Sequence, residues 1–325
     1  MKSYRYCPAL YAVLALCALL PQAAAQDGFP SAPVRLVLGY TPGGSADLVA
    51  RLLAQKLSSQ MNASVVVDNK PGASANIAAE FVVAARPDGH TLLFNTNDII
   101  FRRAFGEALN YDVFKDLAPV SLLASSPQLL FVHPAVPSNT PAEFIAQLKA
   151  NPGKLAYGSS GTGSLNHLGV LLLLQLNGLS ALHVPYKGGA LAINDVVGGR
   201  TQFAMQSMTA VLPLAKDKRI KVLAVAGLKR SPLLPDVPTF AETVMPGFEI
   251  GIWFAVMAPA RTPSAVVNRL NSEIAKALQD RDLRSRLEQE GAQVLGTTPE
   301  EYGAYLRSEL ERWNKVIKTA GVKLE

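Results

Sequence analysis

The sequence predicts an α/β protein with two domains, and three observations support this fold class. Short apolar runs that suit buried strands alternate with amphipathic helical patterns, which is typical of parallel sheets covered by helices. Two glycine-rich segments, residues 39–44 and 158–164, each join such a strand to such a helix. About 300 residues remain once a predicted leader is removed, which is more than one core usually organises.

The first 25 residues have the pattern of a secretory signal peptide. Lys2 and Arg5 precede an apolar run over residues 9–20, and three alanines end at Ala25, just before Gln26. The apolar run is shorter than the ~20 residues of a membrane-spanning helix, so a membrane anchor is disfavoured. We therefore expect export to the periplasm, with cleavage between Ala25 and Gln26.

Composition narrows the class of partner. Both cysteines, Cys7 and Cys17, lie in the predicted leader, so the exported chain has no thiol and no disulfide. The formal net charge of the full chain is +6, and cleavage removes the positive charges of Lys2 and Arg5. The remaining basic residues form no run, so nucleic acid is disfavoured as a partner.

Strands and helices alternate in the first half of the chain after the leader. This βαβ pattern predicts a parallel sheet with helical connections. The predicted elements are strand Val34–Leu38, helix 45–60, strand 65–68, helix 74–85 and strand Thr91–Asn95.

The same alternation returns after residue 128, which predicts a second α/β unit. The predicted strands are residues 129–132, 155–158, 183–185, 202–205 and 222–226, and the predicted helices are residues 140–150, 164–176 and 190–197.

The C-terminal quarter contains clear helix signals. Thr262 followed by Pro263 predicts a helix with Thr262 as its N-cap and Pro263 at its first position. Thr298 and Glu301 have capping-box spacing, and Gly321 marks the end of the helix that follows. Apolar residues at helical spacing predict packing surfaces, and we expect this region to pack against the first domain.

Both glycine segments are candidate anion sites. A helix N-terminus exposes unpaired N–H groups and carries partial positive charge, so it suits a carboxylate or phosphate. Glycine lets a ligand approach the backbone closely, and Ser45, Ser159, Ser160, Thr162 and Ser164 add hydroxyl donors. The alternative interpretation is that these residues only build tight strand-to-helix turns.

Six segments carry a resemblance to a known family. They are residues 41–51 (TPGGSADLVAR), 65–73 (VVVDNKPGA), 85–93 (ARPDGHTLL), 111–112 (YD), 151–168 (NPGKLAYGSSGTGSLNHL) and 183–188 (HVPYKG). Over essentially the whole exported length, the chain resembles the Bug-type (TctC-like) periplasmic solute receptors of tripartite tricarboxylate transporters.

The resemblance implies a two-domain periplasmic binding protein, or Venus flytrap, with the ligand in the cleft between the domains. Two strands cross between the domains, near residues 122–130 and 252–257. The implied boundaries are residues 1–25 for the signal peptide, 26–125 plus 254–325 for domain 1, and 126–253 for domain 2.

In such receptors, the turns after the strands hold the ligand through backbone amides and small hydroxyls. The resemblance implies that domain 1 contributes one wall and domain 2 a carboxylate-binding loop. The wall is Tyr40, Thr41, Pro42, Gly43 and Gly44, and the loop is Ser159, Ser160, Gly161, Thr162, Gly163 and Ser164.

Further candidates flank these loops. Asp47 holds the first loop closed, or accepts a hydrogen bond from a ligand amino group, or only stabilises the helix start. Asn95, Thr96 and Asn97 follow one strand and Ser207 follows another, and ligands of open α/β sheets gather beyond such strand ends. Turn formation is the alternative interpretation of these four residues.

Catalysis, metals and cofactors are disfavoured. Ser164 and His167 lie close in sequence, but without a third orienting residue or a G-x-S-x-G sequence we expect no catalytic residue. His167 is expected to be a neutral hydrogen-bonding side chain of the ligand loop. The histidines lack zinc-site spacing, and neither glycine segment completes a nucleotide-binding sequence, so we expect no metal and no cofactor.

The sequence therefore predicts a monomeric receptor, not an enzyme, that binds a small organic anion by domain closure and delivers it to the permease subunits of a tripartite tricarboxylate-type transporter. Because few basic residues lie near the proposed contacts, a mono- or dicarboxylate, an amino acid and an aromatic acid all remain open. The alternatives are a ligand-presenting co-receptor for a signalling sensor and a secreted Ser/His hydrolase.

Overall fold

Three neighbouring parallel strands lie at one edge of the sheet of the first half of the protein. The computed structural model describes residues 28–321. β1 (Val34–Leu38) lies between β2 (Val65–Asn69) and β3 (Thr91–Asn95), and both pairings are parallel. The helices that follow these strands in turn are α1 (Ser45–Met61), α2 (Asn76–Val83) and α3 (Asp98–Ala104). The predicted βαβ pattern of this half is confirmed.

A second parallel set lies in the other half. β5 (Ala156–Ser159) pairs with β6 (Leu182–Pro185) on one side and with β7 (Phe203–Ser207) on the other. The helices of this half are α4 (Pro141–Ala150), α5 (Leu165–Leu176), α6 (Gly189–Val197), α7 (Met208–Lys216) and α8 (Phe240–Thr243). The second predicted α/β unit is therefore also present.

Strand β4 (Leu117–Val132) joins the two halves. Its residues 117–127 pair antiparallel with β9 (Gly251–Pro259), which also pairs with β3. Its residues 128–132 pair antiparallel with β7 and with β8 (Lys221–Ala226). The change of partner falls between Pro127 and Gln128, so one strand belongs to both halves. The resulting strand order is β2-β1-β3-β9-β4-β7-β5-β6.

The C-terminal segment packs on the first half, as expected. It comprises α9 (Ser264–Gln279), α10 (Arg281–Gln289), β10 (Gln293–Val294) and α11 (Pro299–Ala320). The Gln60 side chain of α1 donates a hydrogen bond to the Glu273 carbonyl of α9 at 2.8 Å, and Lys56 forms an ion pair with Asp280. β10 pairs with β4 at Ser125 and Ala124.

The capping signals of α11 are confirmed. The Thr298 hydroxyl accepts from the Glu301 amide, and the Glu301 carboxylate accepts from the Thr298 amide. Gly321 ends the helix in the left-handed conformation, with φ of 65°. These contacts are local in sequence, which is why the sequence was sufficient to predict them.

Two predicted helix starts are wrong. Ser74 and Ala75 have φ angles of 49° and 72°, so α2 begins at Asn76, and the Ser74 hydroxyl instead bonds the Thr162 carbonyl in the other half. The N-cap of α9 is Pro263, which has extended backbone angles and leaves Thr262 one residue too early to cap the helix. The Thr262 hydroxyl is buried and makes no hydrogen bond within the described chain.

The buried apolar residues form two clusters, of which the larger runs through both halves and the smaller lies in the second half. The larger cluster includes Leu38 of β1, Phe94 of β3, Leu130 of β4 and Phe254 of β9, each almost fully buried. No helix within residues 28–321 combines the length and apolar character that crossing a bilayer requires. The predicted signal peptide lies outside the described residues, and the proposed domain boundaries at 125/126 and 253/254 stay predictions.

Candidate functional site

The first glycine loop (residues 39–44) ends at an open helix N-terminus. Gly44 is the N-cap of α1, and no side chain caps the helix. Among the described residues, no protein acceptor bonds the backbone amides of Ser45, Ala46 and Asp47. The start of α1 therefore presents unpaired donors with partial positive charge, which suit an anionic oxygen.

Asp47 fixes the shape of this loop. Its carboxylate accepts hydrogen bonds from the Gly43 amide at 3.1 Å, from Arg51 at 2.8 Å and from Asn69 at 3.0 Å. Burial acts to raise the pKa of Asp47, but the hydrogen bonds from Arg51, Asn69 and Gly43 outweigh it and hold the pKa below its ordinary value. These contacts favour the loop-holding interpretation of Asp47.

The second glycine loop (residues 158–164) is bonded mainly to itself. The Gly161 amide donates to the Ser159 hydroxyl at 3.1 Å, and the Gly161 carbonyl accepts from the Ser164 amide and hydroxyl. The Gly163 amide donates to His167 Nδ1 at 3.1 Å, and the Ser160 hydroxyl donates to Asn166 at 2.6 Å. Many of the donors that the sequence assigned to a ligand carboxylate are thus already occupied.

Two stacked histidines, His167 and His183, contact this loop through Gly163 and Ser159. The rings of His167 and His183 lie 3.8 Å apart and nearly parallel, and Tyr157 stacks on His183. Burial lowers the pKa of His167 to about 3, with a further contribution from His183, and burial lowers the pKa of His183 to about 4. Both rings are therefore neutral at pH 7, as expected for His167.

The Ser164 and His167 side chains do not form a nucleophile and base pair. The Ser164 hydroxyl donates to the Gly161 carbonyl at 2.7 Å, and His167 Nδ1 accepts from the Gly163 amide. The serine that does approach an imidazole is Ser159, 2.7 Å from His183 Nε2, and it is fully buried. This geometry gives no support to the hydrolase alternative.

Three of the candidate residues at strand ends form hydrogen bonds with other parts of the protein. Asn95 donates to the Tyr302 hydroxyl at 2.9 Å, and Asn97 accepts from the Trp253 amide at 2.9 Å. The Ser207 hydroxyl lies 2.9 Å from that of Thr209. We therefore interpret Asn95, Asn97 and Ser207 as residues that position the strands.

Sequence reasoning missed the buried carboxylate of Asp98 at the start of α3. Its Oδ2 accepts from the Tyr40 hydroxyl at 2.6 Å, and its Oδ1 accepts from the Leu165 amide at the start of α5, at 2.9 Å. Thr96 lies 2.9 Å from the same tyrosine hydroxyl. Burial raises the pKa of Asp98 to about 6, although the bonds from Tyr40 and Leu165 act against this. Asp98 directly follows the polar residues 95–97 at the end of β3, and this position is the sequence signal that could have identified it as a site residue.

A small cavity of about 30 Å³ lies where the two halves meet. Its polar lining includes Tyr40, Ser45, Asp98, Asn166 and Gln206. Gln206 is 4% exposed, and its Nε2 donor has no partner within the described chain. A buried donor without an acceptor is costly, so this atom favours a ligand oxygen in the cavity.

The predicted site residues divide into two groups at this cavity. Tyr40, Gly44 and Ser160 line it. The residues outside its lining are Thr41, Pro42, Gly43, Asp47, Asn95, Thr96, Asn97, Ser159, Gly161, Thr162, Gly163, Ser164, His167 and Ser207. Ser45, which the sequence suggested as a hydroxyl donor of the first loop, also lines it. Residues that line it without having been predicted include Asp98, Asn166, Gly189 and Gln206.

The halves touch directly around the cavity. The Ser74 hydroxyl donates to the Thr162 carbonyl at 2.7 Å. A Cβ atom at Gly188 would lie 2.4 Å from the Thr41 hydroxyl, so the two segments approach each other as closely as a glycine permits. Together with the bond from Leu165 to Asp98, these contacts describe a closed arrangement.

A larger groove of about 500 Å³ lies beside the strand crossing, with Pro127 and Arg312 in its lining. Arg312 donates to the buried Glu309 carboxylate and to the Glu249 carbonyl, both at 3.0 Å. The lining also contains Lys229, but the acidic Glu249 and Glu309 balance the two basic residues, so this groove is a weaker candidate for an anion than the cavity between the loops.

A family model described as the tripartite tricarboxylate transporter family receptor (TctC) matches residues 49–322. The solved structure of the periplasmic binding protein BugD is similar to this chain with a TM-score of 0.88 and 32% identity, covering 91% of this chain and 100% of BugD. These matches confirm the fold class and the Bug-type resemblance that the sequence predicted.

Two further solved structures contain ligands. Rpa4515 of R. palustris with adipate has a TM-score of 0.88 at 36% identity, covering 91% of this chain and 99% of that protein. MatC (Rpa3494) from Rhodopseudomonas palustris with bound malate has a TM-score of 0.85 at 31% identity, covering 89% of this chain and 100% of that protein.

Proposed function

Because the chain belongs to the tripartite tricarboxylate transporter receptor family, we propose that it is a periplasmic receptor that captures a small organic acid between its two halves. In this proposal it delivers the acid to the permease subunits of such a transporter. The predicted signal peptide accounts for export to the periplasm. The protein acts as a monomer and needs no cofactor.

The observation that carries the proposal is the set of unpaired donors around the cavity between the halves. The amides at the start of α1 have no protein acceptor in the described chain, and neither does Gln206 Nε2. A ligand carboxylate satisfies both kinds of donor at once, with the partial charge of the helix start adding to the attraction. The adipate and malate found in two similar proteins belong to the same chemical class.

Each half supplies part of the proposed contact surface. Tyr40, Gly44 and Ser45 belong to the first half, and Ser160 and Gln206 belong to the second. The cavity of about 30 Å³ is smaller than an acid of several carbons, so the halves must separate further to hold one. A ligand bound to residues of both halves then favours a form closed around it over the open form. We place the two domains at residues 26–125 plus 254–325 and at residues 126–253.

Calorimetric titration tests the proposal. The mature protein, stripped of co-purified ligand by unfolding and refolding, is titrated at pH 7.5 with mono- and dicarboxylates, amino acids, hydroxy acids and aromatic acids. We expect at least one acid to bind, and at about a hundred times its Kd it should add roughly 2.7 kcal/mol to the free energy of unfolding. Binding of neutral compounds alone would contradict the proposal.

A variant pair tests the placement of the acid. Gln206→Glu replaces the unpaired donor with a carboxylate of similar shape, and we expect a loss of about tenfold or more in affinity. Gln202→Glu is the matched control, because the Gln202 side chain accepts from the Ala156 amide and a carboxylate accepts in the same way. Equal losses in both variants would show that Gln206 does not contact the acid.

Delivery to a permease needs a separate measurement. Uptake of the bound acid, labelled with carbon-14, is compared in cells with and without the receptor and in cells that carry the Gln206→Glu variant. We expect uptake to fall in the latter two strains. Unchanged uptake in both would contradict delivery while leaving ligand capture intact.

A further inference from the structure

We propose that Asp98 determines which class of acid this receptor takes: it selects an acid that also carries an ammonium or hydroxyl donor, and it disfavours a second carboxylate. The inference rests on the proposed function, since it concerns the same cavity.

Asp98 has unused capacity to accept hydrogen bonds. A carboxylate offers about four acceptor positions. The protein fills two of them, through the Tyr40 hydroxyl at 2.6 Å and the Leu165 amide at 2.9 Å. Asp98 is 5% exposed and lines the same cavity as Gln206. A ligand donor in that cavity therefore has an acceptor that is already oriented by two hydrogen bonds.

The negative charge of Asp98 lacks a cationic partner on the cavity side. Among the described residues, none that lines the cavity is Lys or Arg. Arg102 lines a separate, smaller cavity that Asp98 also borders, but its guanidinium forms an ion pair with Glu107. Asp98 is thus held by neutral donors, and its charge remains available to a ligand.

A second carboxylate near Asp98 would meet like charge in a buried site. At pH 7.5 Asp98 is ionised, since burial raises its pKa to about 6, which is still below the solution pH. Two carboxylates at short range disfavour simultaneous ionisation, so a dicarboxylate must take up a proton or bind weakly. An ammonium instead gains a charge-assisted hydrogen bond, and a hydroxyl gains an ordinary one.

Asp47 is the competing carboxylate and serves as the control. It precedes Asp98 in the same half and is similarly buried, at 4% exposed, but it lies outside the cavity lining. Its carboxylate already binds Arg51, Asn69 and the Gly43 amide. Removing its charge therefore tests the general effect of losing a buried carboxylate from this region.

The test uses acids that differ in one substituent. Butanoate, 4-hydroxybutanoate, 4-aminobutanoate and succinate vary the group at one end of a four-carbon chain, and 2-hydroxybutanoate and 2-aminobutanoate place the donor beside the carboxylate. The same substitutions on three-, five- and six-carbon chains allow for the unknown ligand length. Each acid is titrated by calorimetry at pH 7.5 into stripped wild-type protein and the Asp98→Asn and Asp47→Asn variants.

We expect wild-type protein to bind its best amino or hydroxy acid about tenfold or more tightly than the dicarboxylate of the same length. Asp98→Asn should narrow or reverse that ratio by weakening the amino acid and strengthening the dicarboxylate. Asp47→Asn should change all affinities by a similar factor.

A wild-type protein that binds the dicarboxylate as tightly as the amino and hydroxy acids would overturn the role of Asp98, while the proposed function would stand. The order of wild-type affinities is measured without any variant, so it tests the role of Asp98 even if Asp98→Asn fails to fold. If no acid binds the wild-type protein, the proposed function fails, and the inference about Asp98 fails with it.

Discussion

The two glycine loops share a strand, turn and helix plan but use their donors differently. The first loop leaves the amides of Ser45, Ala46 and Asp47 without protein acceptors. The second loop bonds to itself, to His167 and, through the Leu165 amide, to Asp98 of the other half. The difference teaches that a glycine-rich turn keeps amide donors for a ligand only where the protein itself does not supply acceptors for them.

Occupying the free amides of the first loop should have the largest effect on binding. Gly44 has extended N-cap angles, and a Cβ there would lie 3.8 Å from its nearest neighbour, so Gly44→Asp fits without strain. Its carboxylate should cap α1, raise the free energy of unfolding by a few tenths of a kcal/mol and abolish acid binding. Chemical unfolding and calorimetry of the ligand-free protein measure the two effects.

Gly44→Ala is the control for that experiment. It adds the Cβ atom without the capping oxygen and should retain measurable acid binding. If Gly44→Asp gains stability and still binds the acid as well as Gly44→Ala does, the start of α1 is not the carboxylate site.

Disturbing the second loop should lower stability and affinity together. Gly161 has φ of 133°, and a Cβ there would lie 2.8 Å from the Ser74 hydroxyl that bonds the Thr162 carbonyl. Gly161→Ala should therefore cost about 1–3 kcal/mol of unfolding free energy and weaken closure. Loss of affinity without loss of stability would instead indicate direct contact between this loop and the ligand.

Low pH should lower the free energy of unfolding through the histidine pair behind the second loop, His167 and His183. His167 and His183 have folded-state pKa values of about 3 and about 4, below the ordinary 6.5, because of burial. Between about pH 6.5 and these values the unfolded chain binds more protons, so stability falls as pH falls. Asp98, with its raised pKa of about 6, acts in the opposite direction between about pH 6 and 4.

Urea unfolding at pH 7.5, 5.5 and 4.5 measures this pH dependence. The His183→Asn variant removes one of the two depressed groups and should show a shallower fall in stability towards acid pH. An equal fall in the variant would assign the acid sensitivity to other groups.

Asp47→Asn should have the smallest effect on binding. It weakens the bonds to Gly43 and Arg51 and should cost about 1–2 kcal/mol of unfolding free energy, with ligand preference unchanged. Thermal unfolding and the calorimetric ranking of acids check both expectations. If Asp47→Asn weakened the binding of amino acids much more than that of other acids, Asp47 would be the residue that recognises the ligand amino group.

The sequence was sufficient for features that depend on neighbouring residues. The bounds of β1 and β3 follow from short, mostly apolar segments, VRLVL and TLLFN, and the cap of α11 follows from Thr298 and Glu301. The residue pattern alone predicted only residues 129–132 of β4, because its polar Ser125, Ser126 and Gln128 do not form an apolar run. The family resemblance added a crossing strand near residues 122–130.

The site was less predictable because it depends on contacts between distant segments. Asp98 reaches the cavity through partners at Tyr40 and Leu165, which are remote in sequence. Gln206 lies inside a strand, and nothing local indicates that its Nε2 lacks a partner. Sequence patterns predicted the starts of α1, α5 and α6 to within one residue, but they predicted neither the start of α3 at Asp98 nor which donors remain free.

The shared strand β4 has a consequence for cooperativity. Its backbone is bonded to β9 on one side of Pro127 and to β7 and β8 beyond it, and one core includes residues of both halves. Loss of either sheet would expose unpaired backbone of the other, so we expect the halves to melt in one transition rather than two. A small molecule that contacts only the cleft should therefore protect the whole chain, including the distant C-terminal helices, from unfolding.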